Sequence, residues 1–302
     1  MWRLRTKTAT LHIVGLIEAF AALKITSQFG LAWWFVVPQV AVVFVLMPLA
    51  VRRMWHTRPL VGQPLRQMLD NVCHARHCKL REILVWQTNG TMANAAVVGM
   101  SRWLRYLLLT DVLLCHLTDA QITAVVRHEL GHLRRWHLPL RLAMLLLPVA
   151  WWLAIKQAFP AVEPMLNNSL TEIGFSLSNP AALVLPLGLL LYAAIAVGWY
   201  SRLLEHDADL DACLNDRGHF DLAQAADFSS ALILLCGDGH ESRFGQWLHP
   251  AASARVELLY SLAAEPRRAV VFRCYTTAIA VLIGLLYAGA AALVLSVQSS
   301  SF

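Results

Sequence analysis

The chain has 302 residues, 58% of them hydrophobic and only 15% charged. Soluble domains carry about 45–50% apolar residues, and a domain of this size needs a polar skin, so the composition excludes an ordinary soluble protein and points to an integral membrane one. The net charge of +6 sits on basic residues that flank apolar runs, among them Arg52, Arg53, Arg134, Arg135, Arg267 and Arg268; this is a positive-inside bias that reports topology and argues against a nucleic-acid partner.

In chain order, the N-terminal Met-Trp-Arg-Leu-Arg is short for a signal peptide, so the first apolar run is read as a retained anchor. Five stretches are long enough to span a bilayer, which takes about 20 residues. They lie at roughly 9–26, 31–50, 138–157, 181–200 and 270–296. The first contains Glu18 and Lys24 and reads as a tilted helix whose lysine snorkels outward. The resulting organisation is a transmembrane hairpin over 1–50, a polar region over 51–137, a second hairpin over 138–200, a second polar region over 201–268, and a last span with its tail over 269–302. Both polar regions are rich in Lys and Arg near the spans, whereas 158–180 and Ser27–Gly30 have none. The polar regions are therefore expected in the cytoplasm. None of the six cysteines lies in an outer segment, so reduced thiols and no disulfide framework are expected.

Within the first polar region, Leu65, Met68, Leu69 and Val72 predict a helix over 64–78. Residues 82–87 read as a strand closed by a Thr88-Asn89-Gly90 turn, and 106–115 are strongly apolar. Thr118 followed by Gln121 reads as a capping box opening the next helix. On a helix Cys73 shares a face with His77, and His74 shares one with Cys78; these two pairs face directions about 100° apart, so a single tetrahedral metal site there is not expected. The Trp33-Trp34 and Trp151-Trp152 pairs fit interfacial belts or lipid-facing packing.

Residues 128–132 read His-Glu-Leu-Gly-His. Helical positions i and i+4 are about 40° apart in projection, so His128 and His132 share a face and can grip one metal ion. Glu129 sits where its carboxylate can reach a water at that metal. A catalytic zinc needs a third protein ligand and an open position. Glu205 is the candidate, with Asp209 one turn on as an acceptor for the far nitrogen of a ligating histidine. His206 points about 100° away from Glu205 and reads as structural. His132 comes just before the third span and Glu205 just after the fourth, so two antiparallel spans return the ligands to the same membrane face. His137, five residues past His132, falls off the ligand face and is expected at the lipid interface.

In these motifs the sequence resembles the integral-membrane zinc endopeptidases (gluzincins) that include bacterial HtpX and the CAAX prenyl proteases. The resemblance runs from about Ile83 to Leu259. It rests on Asn94-Ala95-Ala96-Val97-Val98-Gly99, with Ala96 where the family has an aromatic residue; on Arg127 to His132; on Ser201-Arg202, Glu205 and Ala208-Asp209; and on His249-Pro250 with Arg255. It implies a mainly helical, multi-span membrane protein with a membrane-proximal zincin-like α+β catalytic domain carrying a small substrate-binding sheet. It further implies one zinc per chain on His128, His132 and Glu205, with Glu129 as general base and His249 assisting catalysis. Arg202 and Asp209 would stand behind the ligands. Asn94, Ala95 and Ala96, with the strand at 83–87, would line the cleft, where an extended substrate adds to the strand's edge. The expected partners are polypeptide substrates and the lipid bilayer; the expected location is the bacterial inner membrane, with the site facing the cytoplasm. The competing readings are a BlaR-type signalling metalloprotease acting with a separate sensor, since the chain ends soon after its last span, and a non-enzymatic zinc-binding membrane protein.

Overall fold

The computed structural model describes residues 36–172, 181–215, 217–236 and 249–299. The first apolar stretch with Glu18 and Lys24, the Ser27–Gly30 turn and the Trp33-Trp34 pair lie outside them. The chain divides into two compact units, Met1–Leu130 with Ala226–Leu235, and Gly131–Ala225 with Cys236–Phe302.

The first unit is built on a small mixed sheet. Helix α1 (Val36–Met54) leads into β1 (Thr57–Pro59), and α2 (Gln63–Ala75) follows. Helix α2 ends with His77 in the left-handed region, at φ 53°. The His77 and Cys78 amides donate back to the carbonyls of His74 and Cys73, at 3.0 and 2.9 Å. That closing turn buries Cys73 and Cys78 and leaves His74 and His77 exposed. Strands β2 (Glu82–Trp86), β3 (Ala95–Val98) and β4 (Tyr106–Thr110) complete the sheet in the order β1-β2-β4-β3. The β2–β4 pair is parallel and the other two are antiparallel. All five β4 residues are buried, which suits a central strand read as a continuous apolar run.

This order corrects one expectation. Strand β2 is hydrogen-bonded on both sides, so its edges are taken and no substrate can add there. Among the described strands, β1 and β3 are the edges and pair on one side only. The apolar run 106–115 also divides. Thr110 ends the strand and caps helix α3 (Asp111–His116) by accepting the Leu113 amide at 3.3 Å. Beneath the sheet Val51, Leu84, Tyr106 and Leu108 form a buried cluster. Arg52 pins the end of α1 to the sheet through Glu82 at 3.1 Å. The expected capping box opens α4 (Asp119–Arg134): the Gln121 amide donates to Thr118 Oγ1 at 3.3 Å, and the Thr118 amide to Gln121 Oε1 at 2.9 Å.

The second unit is helical. It contains α5 (His137–Ala158), α6 (Val162–Glu172), α7 (Ala181–Tyr192), a π-helical turn (Ala193–Val197) and α8 (Gly198–Ala212). Helix α9 (Leu222–Cys236) belongs mostly to the first unit, and α10 (Ala252–Ala264) and α11 (Pro266–Ser299) return to the second. Among the described residues three stretches are long and apolar enough to cross a membrane by length and composition: His137–Ala158, Leu187–Ala212 and Arg267–Val297. Helicity at the fourth expected span does not stop near residue 200. Its helix runs through the π turn to Ala212, so span and Glu205 share one helix. Large apolar side chains such as Leu142, Leu153, Leu190, Leu282 and Leu285 are exposed on these helices, which suits contact with lipid rather than water. Helix α11 packs along α5: Tyr287 donates to the Ala143 carbonyl at 2.8 Å, and Gly289 lies against the Trp151 ring. Tyr200, Leu203, Leu204 and Ile283 form the buried cluster beside them.

Candidate metal centre

Helix α4 carries His128 and Glu129 side by side and His132 one turn on. His128 is buried, with the Phe228 ring stacked on it at 5.3 Å, while Glu129 and His132 are half-buried. Glu205 on α8 is 1% exposed. Its Oε1 lies 3.4 Å from His132 Nε2. One ligand atom from each of His128, His132 and Glu205 falls within 4.8 Å of the others. Donors about 2.0–2.2 Å from a tetrahedral zinc ion stand roughly 3.3–3.5 Å apart, so the His132–Glu205 separation fits a shared ion. Two imidazoles and a carboxylate are also a donor set that zinc accepts. Among the described residues no comparable group forms around Cys73, His74, His77 and Cys78; burial pushes the Cys73 thiol up to about 12, which disfavours the ligating thiolate.

The glycine of the His-Glu-Leu-Gly-His motif has a packing reason. A Cβ on Gly131 would stand 3.3 Å from Asp211 Cβ and 3.4 Å from Ala208. The absent side chain lets the end of α4 lie close against α8.

Helix α8 is enclosed nearly all round and buries Glu205, Asp207, Asp209 and Asp211, each at most 1% exposed. Alternate helical positions are about 200° apart, so Glu205 and Asp209 lie on one face and Asp207 and Asp211 on roughly the opposite one. Buried carboxylates need paired partners, and each has one. Arg141 Nη2 donates to Glu205 Oε1, and His249 Nδ1 lies 2.9 Å from Glu205 Oε2. Asp207 receives Arg135 at 2.8 Å and His137 at 3.1 Å. Asp209 is gripped by both ends of the Arg255 guanidinium. Asp211 is met by Arg134 at 3.1 Å and Arg273 at 2.9 Å.

Several placements differ from expectation. His137 is 1% exposed; it does not sit at a lipid interface but faces His132, with 2.9 Å between the two Nδ1 atoms. Arg134 and Arg135, read from the sequence as topology markers, are also the partners of Asp211 and Asp207. Arg202 is exposed, and the guanidinium on Glu205 is that of Arg141, which nothing in the sequence singled out. His206, at 3.9 Å from Asp209, is not among the grouped donors. In the first unit, Asn94 is exposed just before β3, and its backbone is tied to Thr110 by bonds of 3.0 and 2.9 Å. Ala95 and Ala96 follow as the first residues of the edge strand.

The sequence profile of peptidase family M48 matches residues 60–263, about two thirds of the chain. The chain belongs to peptidase family M48. That is a family of metalloendopeptidases, as the motif resemblance implied. Among solved structures the chain is similar to the crystal structure of Ste24p from S. mikatae, with a TM-score of 0.53 at 21% identity. The likeness covers 85% of this chain and 64% of that one, so the chain spans under two thirds of that protein's length and the likeness is one of fold. No curated protein matches. The mainly helical architecture, with apolar helices of spanning length and a small mixed sheet, is the one the resemblance implied.

Proposed function

We propose that the chain is a zinc endopeptidase that cuts membrane or membrane-proximal polypeptides, with its site at the cytoplasmic face of a bacterial inner membrane. The observation that carries this reading is the convergence of His128, His132 and Glu205 donors within 4.8 Å. Those three residues would hold one zinc ion, which supplies a Lewis acid able to lower the pKa of water towards about 7.

Glu129 would accept the proton of the attacking water and deliver it to the leaving amine. His249, whose side chain is 56% exposed beside Glu205, would steady the substrate or the developing oxyanion. The substrate would pair through its backbone with β3, an edge strand of the sheet, which tolerates varied side chains. Asn94, Ala95 and Ala96 would then line its path. Asp209, held by Arg255, would support the ligands from behind.

The test is Glu129→Gln in the purified full chain. This reading expects zinc to be retained and cleavage of a peptide substrate to be lost. Unchanged proteolysis by that variant would refute it. A non-enzymatic zinc protein would show no Glu129-dependent cleavage in the parent chain at all.

A further inference from the structure

The histidine that ends helix α4's motif has a neighbour with a directional consequence. His137 Nδ1 lies 2.9 Å from His132 Nδ1, and His137 Nε2 lies 3.1 Å from Asp207 Oδ2. The two rings meet edge to face, with centroids 4.9 Å apart and planes at 79°. Asp207 and His137 are each 1% exposed.

We propose that His137 and Asp207 are positioning residues that fix the tautomer and orientation of His132 for metal binding. The inference rests on the reading of His132 as a zinc ligand. An ionised carboxylate only accepts hydrogen bonds, so the proton between Asp207 and His137 sits on His137 Nε2. Arg135, at 2.8 Å from the same oxygen, already supplies Asp207 with a positive partner, and a neutral His137 completes the set. The Nδ1 of that neutral ring carries a lone pair and must accept. His132 therefore donates from Nδ1, and its remaining lone pair lies on Nε2. That is the atom 3.4 Å from Glu205 Oε1. The opposite polarity would place a proton on His132 Nε2 and remove the ligand. One buried carboxylate thus sets the direction of two hydrogen bonds in series, with a second histidine where a single acceptor is usual.

The backbone supplies the reach. Trp136 adopts φ 58° and ψ 32°, a left-handed conformation that bulky residues seldom take. It breaks α4 from α5 and makes His137 the first residue of α5. In an unbroken helix, residues five apart point about 140° from each other. Across this break their rings touch.

The test uses the intact protein in detergent, with zinc affinity read by chelator competition and ligand geometry by the visible absorption of the cobalt-substituted protein. His137→Phe keeps a ring but offers no acceptor. Its zinc affinity is expected to fall roughly 10- to 100-fold, with a changed cobalt spectrum. His137→Gln restores an amide oxygen as acceptor and is expected to recover part of that loss. Asp207→Asn keeps the shape, removes the fixed acceptor, and is the variant to read if His137→Phe does not fold. Its affinity is expected to fall in the same direction. Folded His137→Phe or Asp207→Asn protein with parental zinc affinity and an unaltered cobalt spectrum would overturn the inference. A parent chain that binds no zinc, or a Glu129→Gln variant that still cleaves, would instead overturn the metallopeptidase reading. The two failures are separable because zinc binding is measured without turnover.

Discussion

Removing Arg255 isolates the cost of a buried charge in this fold. The Arg255 side chain is 10% exposed and that of Asp209 is 0%. The guanidinium donates from Nε at 2.8 Å to one carboxylate oxygen and from Nη2 to the other. Arg255→Met preserves much of the apolar stem but leaves the Asp209 carboxylate without its bidentate partner. Breaking a buried pair from one side costs about 3–5 kcal/mol. At about 1.4 kcal/mol per tenfold, that is roughly a two- to three-and-a-half-decade shift in the folding equilibrium. The assay is a reversible denaturation titration in mixed micelles, followed by the fluorescence of the 11 tryptophans. The double variant Asp209→Asn with Arg255→Met removes the stranded charge and is expected to regain more than half of the loss. A loss below about 1 kcal/mol for Arg255→Met, the scale of an exposed pair, would refute the argument that this pair is desolvated.

Other perturbations follow from particular contacts. Gly99→Ala is expected to destabilise the β3–β4 turn by about 2–4 kcal/mol, because its Cβ would meet the Leu104 carbonyl oxygen at 2.2 Å with φ at +105°. Gly218→Ala, at φ +79° with open space around it, should cost only about 1–2 kcal/mol in the same titration; equal losses would refute the steric reading. Burial raises the Asp111 pKa, but hydrogen bonds from Thr88, Val112 and Gly90 outweigh it and hold the carboxyl below its usual range. The contribution is present above the unfolded value near 4 and is lost as pH falls through the lower folded value. Amide exchange in the Thr88–Gly90 turn should accelerate below about pH 4 in the parent chain and lack that step in Asp111→Asn. The Cys73 thiol, pushed up to about 12 by burial, should alkylate at least about tenfold more slowly than exposed Cys115 in the native protein at pH 8. Equal rates would show that Cys73 is not enclosed.

The parts legible in the sequence are those whose spacing is local. His128 and His132 share a helical face by periodicity alone, and Thr118 with Gln121 caps that helix because both groups lie within one turn. Glu205 was reachable at longer range because a hairpin of two spans must return the chain to its starting face. The strand over 82–87 was legible too, but not its neighbours. In a sheet ordered β1-β2-β4-β3 the consecutive strands β2 and β3 do not pair, and strand order depends on crossovers that side-chain alternation does not encode.

The sequence by itself determined the peptidase family, the candidate donor set and the apolar helices of spanning length, since these follow from motif residues, helical period and overall apolarity. Only the tertiary structure decided what surrounds the donors. Asp207, Asp209 and Asp211 look like an exposed charged run until α8 is enclosed, when each buried carboxylate must find an arginine that lies far away in sequence. His137 looks misplaced until Trp136 turns left-handed and brings its ring to His132. Periodicity describes an unbroken helix; the break that joins these two histidines is held by contacts the local sequence does not contain.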